Sequence, residues 1–182
     1  LAANSFFQEK DFPALKGPYL GQKPPGSAAE VFAPDIISTS QHEALYGFFK
    51  NGTLLIFDRT DPTEKKWAPA VYVMKMAKGG WRITKGSPHR GKPWYHAYTF
   101  APEGKVLYFA LGGSLDQNDS SKDINIWRVQ KTEAGWTEPI KLPFPVNSKD
   151  LDTWPSVSGK GALCFFSRRE GGFGEGDIYM SR

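Results

Sequence analysis

The stretch Phe100-Ala101-Pro102-Glu103-Gly104-Lys105-Val106-Leu107-Tyr108-Phe109 contains the pattern that decides the fold. An apolar residue precedes Gly104 with three residues between them, and Phe109 follows the glycine after four more. The same spacing occurs twice elsewhere, in Phe48–Gly52–Phe57 and in Val157–Gly161–Phe166. Glycine in a short connection between apolar runs favours a hairpin turn, because turn residues often need a positive φ. The spacing therefore predicts three β-hairpins.

A second element follows each predicted hairpin and extends it to a larger unit. It is an aliphatic residue followed by an aromatic one, in Val71-Tyr72, Ile126-Trp127 and Ile178-Tyr179. In the first two repeats a Gly-Trp pair comes next, Gly80-Trp81 and Gly135-Trp136, and it predicts a further turn and an outer strand. Four short antiparallel strands in each repeat of 40–50 residues or more are typical of a β-propeller blade. The expected strands lie near residues 44–50, 53–59, 70–77, 81–85, 96–101, 105–111, 124–131, 136–142, 153–158, 162–168 and 177–181.

The composition supports an all-β protein. Aromatic residues make up 14% of the chain, and 19 glycines and 14 prolines supply many turn residues. Pro and Gly are concentrated before residue 27, so residues 1–29 are predicted to form an extended N-terminal segment. Residues 30–182 are then predicted to form the blades, with repeats near 42–85, 94–142 and 152–182 and with residues 30–37 as a closing outer strand.

Three parts of the sequence resemble the TolB-type (WD-like) propeller repeat of bacterial proteins. They are the quoted decapeptide, the run Asn125-Ile126-Trp127-Arg128-Val129, and Asp177-Ile178-Tyr179 in the third repeat. The resemblance covers roughly residues 28–182, and the first repeat departs from it because Lys50-Asn51 replaces Pro-Asp. It implies a propeller, which in this family closes with six or seven blades, and a periplasmic or secreted protein. It implies no catalytic residues, because the family is mostly sensors and scaffolds.

Charge, cysteine content and the length of apolar runs limit the classes of partner and site that the sequence predicts. The net charge is +4 and the basic residues are scattered, so no nucleic-acid partner is predicted. The single cysteine, Cys164, lies in an apolar run and cannot form an internal disulfide. The longest apolar runs are far shorter than a membrane-spanning segment, so no membrane span is predicted.

Five residues are candidates for a ligand site, because they lie just before or at the first strand of each repeat. These strands line the central channel of a propeller, and the residues are His42, Glu43, His96, Asp152 and Trp154. The predicted ligand is a protein, a peptide or a glycan, and no cofactor or metal is predicted. No motif of nucleophilic or metal catalysis is present. The favoured function is a non-catalytic binding or scaffold propeller. The alternatives are a carbohydrate-active enzyme (glycosidase or lyase) and a structural fragment of a larger propeller.

The third repeat lacks a Gly-Trp outer strand, whereas residues 30–34 resemble such a strand, residues 138–143, and have no blade of their own. This imbalance predicts a homodimer that closes a six-bladed ring, in which each chain gives residues 30–37 to the last blade of the other. The alternative is a truncated propeller whose other blades are missing.

Overall fold

The computed structural model describes residues 15–23, 26–50, 52–60, 69–86, 95–112 and 123–181. These residues contain twelve strands, one 3-10 turn (Pro18–Gly21) and no α-helix. The strands form antiparallel sheets of four, five and three strands. The all-β prediction is therefore confirmed, and no helix in the described ranges is long and apolar enough to cross a membrane. The chain divides into two compact units, Leu1–Pro93 and Trp94–Arg182.

The first unit contains one sheet in which each strand pairs with the next along the chain. Its central strand is buried on both faces, since Leu55, Ile56 and Phe57 are completely covered. This burial agrees with the unbroken apolar run, which is typical of a strand between two packed layers. The strands are β1 (His42–Phe49), β2 (Leu54–Thr60), β3 (Ala70–Ala77) and β4 (Gly80–Lys85).

Residues 15–23 and 26–37 cover one face of this sheet. Leu20, Ala33 and Ile37 are buried in the same apolar cluster as Phe57 and Trp81. The Trp81 indole N–H donates to the Gly17 carbonyl at 3.2 Å, which joins the segment to β4. In this chain residues 30–37 include a tight turn over residues 33–37, with Ile37 N–H donating to the Ala33 carbonyl at 2.9 Å. Their role as a closing strand for another blade stays a prediction.

The second sheet contains β5 (Tyr95–Phe100), β6 (Val106–Gly112), β7 (Ile124–Thr132), β8 (Gly135–Trp136) and β9 (Ile140–Lys141). Here one predicted strand, 136–142, is wrong in detail, because it is divided into β8 and β9, which both pair with β7. The break contains Pro139, which has no N–H to donate to a sheet. Just before it, the Thr137 hydroxyl accepts a hydrogen bond from Gln130 N–H at 3.0 Å, in a place where strand pairing would use a carbonyl.

The third sheet contains β10 (Asp152–Val157), β11 (Leu163–Ser167) and β12 (Asp177–Ser181). Strand β10 packs against β5, β6 and β7, and Leu163 and Phe165 share an apolar cluster with Ile126 of the second sheet. The sheets have four, five and three strands: the extra strand of the second sheet comes from the division of residues 136–142, and the third sheet has the three strands expected within its own repeat. In the described part of the chain, no strand pairs with the outer edge of β12.

The three sheets share one register around a pair of aromatic residues. Tyr72 lies opposite Phe57, Trp127 lies opposite Phe109, and Tyr179 lies opposite Phe165. The sequence spacing aligns Phe166 with Phe57 and Phe109, but the residue at their position in the third sheet is Phe165, one residue earlier. The physical reason is the hairpin loop, which has three residues between the bonded pair Ser158 and Ala162 but four between Ala101 and Val106.

Candidate functional site

Two of the five candidate residues, His96 and Trp154, lie side by side in the second unit. Their ring centroids are 6.1 Å apart at an interplanar angle of 70°, an edge-to-face contact. His96 Nε2 also lies 3.2 Å from the Thr153 hydroxyl. The side chain of Trp154 remains exposed, with 60% of its surface open to solvent. An exposed indole and a half-buried imidazole therefore meet at one surface, and the buried Thr153 hydroxyl lies beneath the imidazole's Nε2 contact.

The backbone of Trp154 explains why so large an apolar side chain points to solvent. Its φ is +51°, in the left-handed region that bulky residues rarely adopt, and it lies in a β-bulge between Thr153 and Ser156. A bulge redirects a side chain that regular alternation would place elsewhere. Strained residues held in this way by the surrounding sheet are concentrated at functional sites.

Strand β5 has a bulge of the same kind. Pairing shifts between His96 and Thr99, and Ala97 has a φ of +54°. In the shared register His96 corresponds to Thr153, which also lies eight residues before its repeat glycine, because both residues face the position after the central phenylalanine. In the first sheet that position belongs to Ala44, and His42 lies two residues earlier, exposed at the start of β1.

Asp152 is completely buried, so it offers no surface to a ligand. Its Oδ1 accepts a hydrogen bond from Arg169 Nη2 at 2.9 Å, and the Ser148 hydroxyl donates to Oδ2 at the same distance. Arg169 also donates to the carbonyls of Pro145 and Val146, and its guanidinium lies over the stacked rings of Phe165 and Tyr179. Asp152 therefore holds the loop before β10 to the sheet.

Glu43 has the same arrangement in the first unit. Its Oε1 lies 3.1 Å from Arg59 Nε and accepts a hydrogen bond from Thr39 N–H at 3.2 Å. The Arg59 guanidinium donates to the carbonyls of Ile36 and Ile37. It also lies over the stacked rings of Phe57 and Tyr72. We call these two arrangements the arginine clamps: Glu43–Arg59 and Asp152–Arg169.

The arginine clamps were not predicted from the sequence, although their carboxylates follow a spacing that both units share. The accepting carboxylate follows a hydroxyl residue at a spacing of four in both units, in Thr39 to Glu43 and in Ser148 to Asp152. The two arginines are harder to match, because Arg59 lies two residues after the central aromatic and Arg169 lies four after it.

The two clamp carboxylates therefore have structural partners, and each belongs to a different unit. Asp58, another carboxylate of the first unit, is 5% exposed and accepts a hydrogen bond from the Tyr46 hydroxyl. Among the residues that the structure describes, no group of three or more His, Cys, Asp and Glu side chains could hold a metal ion. What remains at the surface of the candidate site is the exposed Trp154 indole and the half-buried His96 imidazole, with the buried Thr153 hydroxyl behind them.

No protein-family model matches the chain, and no curated protein shows a significant similarity to it.

Proposed function

We propose that this chain forms blades of a β-propeller and acts as a non-catalytic binding or scaffold protein. Each described sheet runs as an antiparallel meander with an aromatic pair at the same register. The second and third sheets also share an apolar cluster, as adjacent blades do. The resemblance to the TolB-type repeat supports the same proposal, and it is the basis for placing the protein in the periplasm or outside the cell.

The proposed ligand seat is formed by Trp154, His96 and Thr153, and Trp154 is the residue on which it depends. The Trp154 side chain is 60% exposed, and its backbone is held at a φ of +51°. This backbone conformation lowers the stability of the fold, and such strain is concentrated at functional sites. The clamp carboxylate Asp152 positions the strand that presents the indole, two residues away. Asp152 is therefore a positioning residue in this proposal and does not contact the ligand.

The chemistry of the seat favours a neutral ligand with one apolar face and several hydroxyl groups. The indole offers a flat apolar surface, and the half-buried His96 imidazole lies at its border, held by the contact of its Nε2 with the buried Thr153 hydroxyl at 3.2 Å. A sugar ring has both properties, since its C–H groups stack on an aromatic ring and its hydroxyls bond to polar neighbours. We therefore propose a neutral glycan as the ligand.

The test is titration of the protein with a panel of neutral oligosaccharides, followed by calorimetry. Removal of an aromatic anchor costs a binding site at least about 2 kcal/mol, or roughly 30-fold in Kd. We expect this increase in Kd for Trp154→Ala but not for Phe173→Ala, which removes a different exposed aromatic side chain of the same unit. Binding that is equal in both variants, or absent from the parent protein, would contradict the proposed seat. Release of reducing ends during the titration would instead favour a carbohydrate-active enzyme.

We also propose a second copy of the chain as a partner. The support is the outer edge of β12, with which no strand in the described ranges pairs.

A further inference from the structure

Strand β12 differs from the other edge strands in lacking protection against added strands. Proteins protect sheet edges with bulges, charged residues, proline or short strands. Strands β1, β5 and β10 each have a bulge, β4 exposes Arg82 and Lys85, and β8 and β9 are only two residues long. Strand β12 is five residues long, has regular pairing with β11, and contains no proline, lysine or arginine. Its one charged residue, Asp177, is the first of the strand, and its carboxylate accepts hydrogen bonds from Phe173 N–H and Gly174 N–H of the preceding turn.

One face of β12 is also apolar and open to solvent. Ile178 and Met180 are 74% and 65% exposed. The residues at the same register in the first sheet, Val71 and Val73, are 8% and 7% exposed. An accessible backbone edge beside exposed apolar side chains is the combination that accepts an additional strand.

The repeat shows which segment fits this edge. Contacts of the two clamps recur at a constant interval along the chain, from Ile37 to Val146 and from Glu43 to Asp152, 109 residues in each case. Residues 31–32 lie 109 residues before Ile140–Lys141, which form β9. Residues 31–32 are therefore the β9 equivalent of the first repeat.

The pairing of β9 gives the register. Lys141 lies opposite Trp127 and Ile140 lies opposite Arg128. Since Trp127 and Tyr179 hold the same position in their sheets, Phe32 would lie opposite Tyr179 and Val31 would lie opposite Met180.

Within its own unit, the backbone of residues 31–33 bonds to the Gln22 side chain, whereas the backbone of β9 pairs with strand β7. The Gln22 amide donates to the Val31 carbonyl at 2.9 Å and accepts from Ala33 N–H at 2.6 Å. In the second sheet the residue that corresponds to Ala33 is Leu142, whose N–H donates to the Ile126 carbonyl of β7 at 3.0 Å. Gln22 thus satisfies the backbone edge of residues 31–33 locally, and Val31 remains 64% exposed.

We infer that residues 31–33 of one copy add as an edge strand to β12 of a second copy and exchange the Gln22 amide for the backbone of Ile178 and Met180. The inference rests on the blade arrangement proposed above and gives its partner contact a defined register. The arrangement is reciprocal, because each copy has one donor segment and one acceptor edge, as a two-fold interface requires.

Disulfide trapping tests the register. The variant Val31→Cys/Met180→Cys is made in a Cys164→Ser background, because Cys164 lies opposite Met180 within the sheet. Directly opposite residues of antiparallel strands have Cβ atoms about 4.5–5.5 Å apart, close enough for a disulfide after slight adjustment. The matched control is Val31→Cys/Ile178→Cys, whose diagonal spacing of about 7–8 Å is too long.

We expect a reducible dimer from the first variant and monomer from the control. No dimer from either variant, or equal dimer from both, would overturn the inferred register. A disulfide within a single chain would overturn the role of the second copy.

Sedimentation of the parent, Met180→Lys and Gln22→Ala adds a test without cysteines. The parent is expected to dimerise, Met180→Lys to be monomeric, and Gln22→Ala to dimerise more tightly, because its donor segment has lost its local partner. A monomeric parent, or a Met180→Lys variant as dimeric as the parent, would contradict strand addition. Oligosaccharide titration of Met180→Lys separates the two proposals, since the Trp154 seat should still bind when the dimer is lost. A monomeric parent that binds the oligosaccharide would contradict only this inference, whereas a dimeric parent that does not bind it would contradict only the ligand seat.

Discussion

Replacing Arg169 with alanine should destabilise the second unit far more than the loss of an ordinary surface ion pair. The change removes the only charged partner that the structure shows for Asp152, a carboxylate that is completely buried. It also removes hydrogen bonds to the carbonyls of Pro145 and Val146. Breaking a buried pair from one side costs about 3–5 kcal/mol, because the remaining charge cannot regain its water.

The matched control is Lys149→Ala in the same unit. Lys149 and Glu170 are 3.2 Å apart, but their side chains are 72% and 85% exposed. Exposed pairs contribute about 0–1 kcal/mol, so this variant should unfold at nearly the same urea concentration as the parent. Urea unfolding followed by tryptophan fluorescence and circular dichroism measures both variants. Equal midpoints for Arg169→Ala and Lys149→Ala would refute the structural role of the clamp.

Three further substitutions test the sheets themselves. Trp81→Ala should lower the free energy of unfolding by about 3–5 kcal/mol, because the side chain is 4% exposed and bonds to Gly17; an unchanged urea midpoint would contradict its place in the core. Asn147→Ala should cost about 2–4 kcal/mol, since its buried amide bonds to both backbone groups of Ile126, and a loss below about 0.5 kcal/mol in the same assay would show that water replaces it. Gly161→Ala should cost about 1 kcal/mol through its φ of +84°, whereas Gly159→Ala, with similar open space and no positive φ in that region, should be near neutral in thermal melts; the reverse order would be inconsistent with the hairpin turn.

The strand pattern could be predicted because it depends on local chemistry. Turn glycines and buried apolar runs placed ten of the eleven expected strands within about two residues of the strands in the structure, and Gly52, Gly104 and Gly161 have positive φ. The exception, residues 136–142, was predicted from its apolar residues and the Gly-Trp turn. Pro139 divides it, because strand pairing needs a backbone N–H at each bonded position and proline has none, whereas Thr137 N–H still donates to the Gln130 carbonyl at 2.9 Å.

The site was harder to predict because it depends on contacts between distant residues. Counting eight residues back from the repeat glycine aligns His96 with Thr153, as the structure does, but this count does not show that the β10 bulge leaves the next side chain, Trp154, exposed. Asp152 and Glu43 were candidates as polar residues before each inner strand, but the arginines that bind them lie 16 or 17 residues further along the chain. No local pattern shows that a carboxylate is used in this way. His42 is exposed in the first unit, and its place in a shared site stays a prediction.

The most direct test of the proposed function is to map oligosaccharide contacts by NMR on the ¹⁵N-labelled protein. With the oligosaccharide from the panel that binds most tightly, we expect the largest chemical-shift changes at the indole N–H of Trp154, at the His96 ring and at the backbone of Thr153. The indole signals of Trp81 and Trp136, which are buried or half-buried in their sheets, should change little. Largest changes at those tryptophans, or in residues of the first unit with Trp154 unaffected, would contradict a ligand seat built on the exposed indole.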